Sequence, residues 1–240
     1  MRPQRTREER LAPRVLEAFR SERTDPAIFR EMASSALGAT IPRLTVALAS
    51  TTSATAWSRA KSNEVDSGFR SMMSVQSSLV MRCRSMPFGT EAQKQKYPPK
   101  LATGEWIGCF GPRPEPNHGS DPDGMVSRAR RGPGELPPTG SKTWITNSPL
   151  ADVFVVWAKD DEGKIQWLCT RERHEGSISA GNPRQSRLLR ASITGEIVMD
   201  DVFVPEENAF RSARPRRPFT CLNSARYGIA WAHWVPPRIA

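Results

Sequence analysis

The chain has 240 residues, with 35 Lys and Arg against 25 Asp and Glu, a formal charge of +10, and 38% hydrophobic residues. That length allows one large domain or two modest ones, and no apolar run approaches the roughly 20 residues of a membrane span. The cysteines, Cys83, Cys109, Cys169 and Cys221, form no CxxC pair, which argues against a structural zinc site or a disulfide framework and fits a reducing compartment. The N-terminal MRPQRTREER is basic but lacks the apolar stretch of a secretory signal, and Glu8 and Glu9 count against a mitochondrial presequence. The positive excess lies at Arg82, Arg84, Arg113, Arg130, Arg131, Arg171, Arg173, Arg211, Arg214, Arg216 and Arg217, among Pro, Ser and Gly. It forms neither a helical stripe nor an aromatic-basic sheet face, so nucleic-acid binding is disfavoured.

Taken in chain order, residues 8–42 read as helical. Leu11, Val15, Ala18 and Phe19 form one apolar stripe at helical spacing. Asp25 can cap a second helix with Pro26 in its first turn, Ile28, Phe29 and Met32 follow, and Gly38 can close it. Residues 65–81 read as another helix. TEAQKQKYPPKLATGEW begins as a short polar helix that Pro98 and Pro99 stop. From Trp106 the character changes: WIGCFG, KTWITNS, ADVFVVWAK and GEIVMDDVFVPEEN are β-rich and separated by Gly, Pro, Asn and Asp turns. Helices followed by strands give an α+β expectation. Its parts are a helical unit over 1–105, a middle β unit over 106–209, and from 210 the start of a further helical unit carrying CLNSARYGIAW.

Three stretches bear on chemistry. VDSGFRSMMSVQSS sets Arg70 among Ser71, Ser74, Ser77 and Ser78; it is either a solvated helix face or a carboxylate reader, since the planar guanidinium matches a carboxylate bidentately. GCFG followed by EPNHGSDP runs a strand into turns where backbone N–H groups and Ser120 can hold a phosphate or a flavin edge, or simply turn the chain. TWITNS offers an indole and a hydroxyl two residues apart, on the same side of a strand, where the ring can stack on a flat cofactor or cap the sheet.

Together with FGTEAQKQKY, GSKTWITNSP, LRASITGEIVMDDVFVPEEN and PFTCLNSARYGIAW, these blocks closely resemble the acyl-CoA dehydrogenase family, and within it the glutaryl-CoA dehydrogenases. The resemblance runs from about Leu11 to Trp231. It implies an acyl-CoA dehydrogenase-like fold with a helical N-terminal domain, a middle β-domain and a C-terminal helical domain that is almost wholly missing here. It also implies FAD as cofactor, an acyl-CoA substrate, an electron-transfer flavoprotein as electron acceptor, a homotetramer, and a cytoplasmic location, or the mitochondrial matrix in a eukaryote. No metal is expected.

Carried over by position, the resemblance places the distal carboxylate of glutaryl-CoA on Arg70, with Ser74 assisting and Ser71 close by. Flavin contacts fall on Phe110, Gly111, Asn117, Gly119, Ser120, Trp144, Ile145 and Thr146. Ser120 also borders the CoA path, and Phe219, Leu222, Asn223 and Arg226 match the CoA-side segment. The implied reaction removes an α-proton with a carboxylate base and a β-hydride with flavin, then releases CO2 to leave crotonyl-CoA. The family's base lies in the C-terminal helical domain, so no residue here is assigned that role. A second expectation is therefore a non-catalytic or non-functional fragment of a short-chain member of the family, and a third a non-catalytic protein that retains an acyl-CoA groove.

Several stretches depart from the family pattern in composition. Thr45–Asn63, back-translated with GC-rich codons and read one base out of register, gives YGGAGLNYVSYGLVAREVE, a family-like segment leading into VDSGFR. Ala232–Ala240 read two bases out contains ALGAAEDC, and Arg82–Pro87 gives VPINA. The expectation is a coding sequence with several small insertions or deletions. Pro112–Pro114, Gly132–Pro138, Gln166–Leu189 and Arg211–Arg217 are suspect on composition, and the excess of Arg and Pro becomes a by-product of out-of-frame DNA. Pro112 and Pro114 also lack the N–H donors that would hold a flavin edge near Gly111.

Overall fold

The structure, a computed structural model, describes residues 3–34, 62–81, 89–112, 115, 124–171, 177–181, 189–209, 222–223, 225–226 and 229–230. Helix α1 (Pro3–Ser21) and helix α2 (Ala27–Ser34) pack through Leu11, Val15, Ala18, Ile28, Phe29 and Met32. The Asp25 carboxylate accepts from the Ala27 N–H at 2.9 Å, so this residue caps α2 as its sequence context predicts. The expected closure at Gly38 lies outside the described residues.

Helix α3 (Ser67–Ser74) is capped by Asp66, whose carboxylate accepts from the Gly68 N–H at 2.7 Å. Where the spacing predicts one continuous helix to residue 81, the chain instead widens into a π-helix over Val75–Met81. Helix α4 (Glu91–Lys96) opens with a capping box between Thr90 and Gln93. Pro98 and Pro99 do not simply stop it. They occupy the first turn of helix α5 (Pro98–Ala102), where a missing N–H costs nothing.

The β unit is a sheet of strands β1 (Gly108–Gly111), β2 (Arg128–Ala129), β3 (Pro138–Thr146), β4 (Val153–Lys159), β5 (Ile165–Arg171), β6 (Ser177–Gly181) and β7 (Thr194–Met199). Its order is β1-β4-β2-β3-β7-β6, with β5 pairing β4 antiparallel from Val153↔Arg171 to Lys159↔Ile165. β1 runs parallel to β4. β4 is buried on both faces, which explains its unbroken apolar run. Val153, Val155 and Trp157 face a cluster with Val80, Tyr97, Trp106, Phe110 and Trp167, while Phe154, Val156 and Ala158 face Cys109, Ile145, Ile197 and Met199. β5 and β6, and the pairing of Glu135 with Gly132 and Pro205, fall inside stretches that composition marks as suspect; there the structure shows ordered ladders and bridges. Among the described residues no helix is long and apolar enough to cross a membrane.

Polar contacts fasten the helical unit to the β unit, two of them beside the segment 190–192. Thr24 Oγ1 donates to the Ala191 carbonyl at 2.7 Å. Arg190 Nε donates to the buried carboxylate of Asp66 at 3.1 Å. Gly68 sits where they meet: a Cβ there would lie 2.6 Å from the Ser192 nitrogen.

Candidate functional site

Helix α3 is not a solvated face. Phe69, Met72 and Met73 are buried on one side, yet Ser74 is buried too, and Ser77 and Ser78 follow it into the interior within the π-helix. Arg70 and Ser71 are half-buried. Arg70 Nε is sealed from water and has no hydrogen-bond partner, and no carboxylate among the described residues pairs with its guanidinium. Burial draws the Arg70 pKa below its ordinary value, the response of a cation whose charge is incompletely compensated. Such a group is expensive to keep and is relieved by an incoming carboxylate.

Strand β3 supplies the aromatic part. Its register against β7 shifts between Lys142 and Ile145, a bulge at which Trp144 takes a φ of 58°. The extra residue lets Lys142 and Ile145 both point inward and leaves the Trp144 indole 57% exposed, with Thr146 half-buried beside it. An exposed indole on a strand anchored by buried Lys142 and Ile145 is a platform for a flat ring.

Phe110 is buried. It meets Trp157 edge-on at 5.9 Å and Trp167 at 6.1 Å, inside the core. Its side chain is therefore a packing element, and a flavin contact there must use the backbone. Gly111 is buried as well; a Cβ would lie 3.2 Å from Ile197 Cδ1. Leu222 packs against the cluster containing Phe110, while Asn223 and Arg226 are exposed and hydrogen-bond each other at 3.1 Å. Asn117, Gly119, Ser120 and Phe219 lie outside the described residues.

Glu115 is fixed within the β unit. It pairs with the fully buried ammonium of Lys142 and accepts from the Val126 N–H at 2.5 Å and the Ser127 N–H at 3.1 Å. Burial pushes its carboxyl up, but hydrogen bonds from Lys142, Ser127 and Val126, with the charge of Lys142, outweigh that and hold the pKa below the ordinary carboxylate value.

Two further residues join these parts and were not singled out from sequence. Asn147, at a φ of 69°, follows Thr146 directly; its Nδ2 donates to the carbonyls of Met72 at 3.3 Å and Gly108 at 3.2 Å. Gln76 Nε2 donates to the carbonyls of Leu101 and Trp106, and its Oε1 accepts from the Gly108 N–H at 2.7 Å. An Asn before Ser-Pro at a strand end is the available signal, since Asn tolerates the left-handed region. The helix bearing Arg70 and Ser74 is thus tied to the starts and ends of the strands bearing Phe110 and Trp144.

Comparison with known proteins agrees with this architecture. Residues 3–105 match the acyl-CoA dehydrogenase N-terminal domain and residues 114–202 the acyl-CoA dehydrogenase middle domain. The chain therefore belongs to the acyl-CoA dehydrogenase family, of which it carries these two domains. It is 39% identical over 157 residues to the very long-chain specific acyl-CoA dehydrogenase of Bos taurus, covering 60% of this chain and 24% of that protein. Among solved structures it is similar to a glutaryl-CoA dehydrogenase from Mycobacterium smegmatis in complex with FADH2, with a TM-score of 0.86 and 35% identity over 96% of this chain and 59% of the other. Butyryl-CoA dehydrogenase from Megasphaera elsdenii gives a TM-score of 0.82 and 26% identity over 97% and 65%. The chain thus spans about a quarter of that curated relative and about three-fifths of these solved structures.

Proposed function

We propose that the chain is the substrate- and flavin-binding part of a dehydrogenase that oxidises glutaryl-CoA with loss of CO2 to crotonyl-CoA. The observation that carries the diacid assignment is the half-buried guanidinium of Arg70 with its partnerless Nε. A methyl end group would leave that charge uncompensated, whereas a carboxylate satisfies it with charge-assisted hydrogen bonds.

Arg70 binds the far carboxylate, with the Ser74 and Ser71 hydroxyls beside it on the same helix. Trp144 and Thr146 flank the flavin, and Phe110 and Gly111 offer backbone groups to it. Leu222, Asn223 and Arg226 stand on the CoA side, together with Phe219 and Ser120. FAD, when bound, supplies the two-electron acceptor for the β-hydride. The α-proton acceptor is not assigned to a residue of this chain. Electrons pass to an electron-transfer flavoprotein, and the family's homotetramer is the working assembly.

Two measurements test this. The purified chain incubated with FAD is expected to show a protein-bound flavin band in the visible spectrum. Its dissociation constant for glutaryl-CoA is expected to be at least about tenfold below that for butyryl-CoA, and Arg70→Met is expected to erase the difference. Equal affinity for the two thioesters in the unaltered chain would refute the diacid assignment and favour the monoacid substrates that the names of its other relatives indicate.

A further inference from the structure

Three side chains converge on Gly108, the first residue of β1. Gln76 Oε1 accepts its N–H and Asn147 Nδ2 donates to its carbonyl, while a Cβ there would lie 2.5 Å from Val80 Cγ1. The same Asn147 amide reaches the Met72 carbonyl, on the helical turn between Arg70 and Ser74. Both amides are buried, and their orientation is fixed by what they face. Turning either one over would set its oxygen against two carbonyls. Asn147 keeps this orientation although its Oδ1 is buried with no partner, a cost that only the donor side offsets.

We infer that Asn147, backed by Gln76, is a positioning residue that sets the length of diacid the site accepts. This rests on the reading of Arg70 as the carboxylate end of the substrate site. On that reading Arg70 fixes the carboxylate end of the acyl chain, and Trp144 and Thr146, which flank the flavin, bound the stretch that is oxidised. Asn147 is the side chain that joins the two, so it governs their offset. A methylene more or fewer then puts the carboxylate out of register with the guanidinium.

The test compares dissociation constants for succinyl-, glutaryl- and adipyl-CoA, which differ by single methylenes. The unaltered chain is expected to prefer one length by about tenfold or more. Asn147→Gly tolerates the φ of 69° and removes the amide, and it is expected to flatten that preference to within about threefold. Asn147→Ser retains one donor and is expected to fall between them. A selective parent whose selectivity survives both substitutions overturns the inference and leaves the diacid reading intact. So does a loss of affinity in equal proportion for all three lengths, the mark of a merely structural amide. A parent that binds diacids no better than butyryl-CoA overturns the diacid reading, and this inference with it.

Discussion

Lys142 carries its charge on a side chain with 0% exposure, and the reason it survives there is Glu115. Removing one member of such a pair is more damaging than never having built it, because the remaining charge stays buried. Lys142→Met is expected to lower unfolding free energy by about 3–5 kcal/mol at neutral pH, read from urea titrations. The pH dependence follows from the depressed pKa of Glu115. A carboxyl whose folded pKa lies below its ordinary value of 4.5 contributes stability that is complete above that value. The contribution is lost as pH falls through the lower folded pKa. The gap between the parent and Lys142→Met is therefore expected to narrow on acidification, beginning above pH 4.5, since burial without Lys142 raises the stranded carboxyl and its protonation relieves the variant first. A gap that is constant with pH would show that Lys142 acts through packing alone. At this scale the sequence was partly legible. Arg70 stood out by the mismatch between a guanidinium and its neighbours, whereas Lys142 reads as an ordinary polar position until the bulge at Trp144 turns it inward.

Among the elements, the helix from Ser67 onward shows where local pattern ends and tertiary contact begins. Its existence follows from the spacing of Met72, Met73, Val75 and Leu79. Its change to a π-helix at Val75 does not, because nothing in the local propensity of VQSSLVM demands the wider turn. What the π segment does is visible only against the sheet: it carries Gln76 to Gly108 and lays Val80 over the same glycine. Gly108→Ala is expected to cost about 1–3 kcal/mol by overpacking against Val80. Val80→Ala in the same chain is expected to recover part of that loss, with a coupling of about 0.5 kcal/mol or more in a double-mutant cycle. Strictly additive effects would mean that the close approach at Gly108 has no energetic consequence. The β-rich blocks of the sequence correspond to β1, β3, β4 and β7. β5 and β6 were obscured because their neighbourhood is rich in Arg, Ser and Gly, which hides the alternation of Trp167, Leu168 and Cys169 between the two faces of the sheet.

For the molecule as a whole, family membership rests on long blocks of sequence that fold as the family folds, and the helical and β units meet through Thr24, Asp66 and Arg190. The charge of +10 is the feature least connected to that architecture. Out-of-frame coding would account for it without a polyanionic partner. The decoded stretches are 45–63, 82–87 and 232–240, of which only residues 62–63 are described. The determined nucleotide sequence of the gene, read in the neighbouring frames, is expected to spell YGGAGLNYVSYGLVAREVE, VPINA and ALGAAEDC at those places. Codons that encode none of the three would dispose of the frame-shift account and return the basic excess to the protein itself.

The grip of Gln76 on Leu101, Trp106 and Gly108 also closes a ring of chain without a covalent bond. The closure itself depends only weakly on the length of chain enclosed, since doubling a loop costs only about 0.6 kcal/mol in closure entropy. Were codons gained or lost between Met81 and Gly89, the entropy of this closure would change by only that small amount. The hydrogen bonds of Gln76, and not the length of chain they enclose, hold this helix against the sheet.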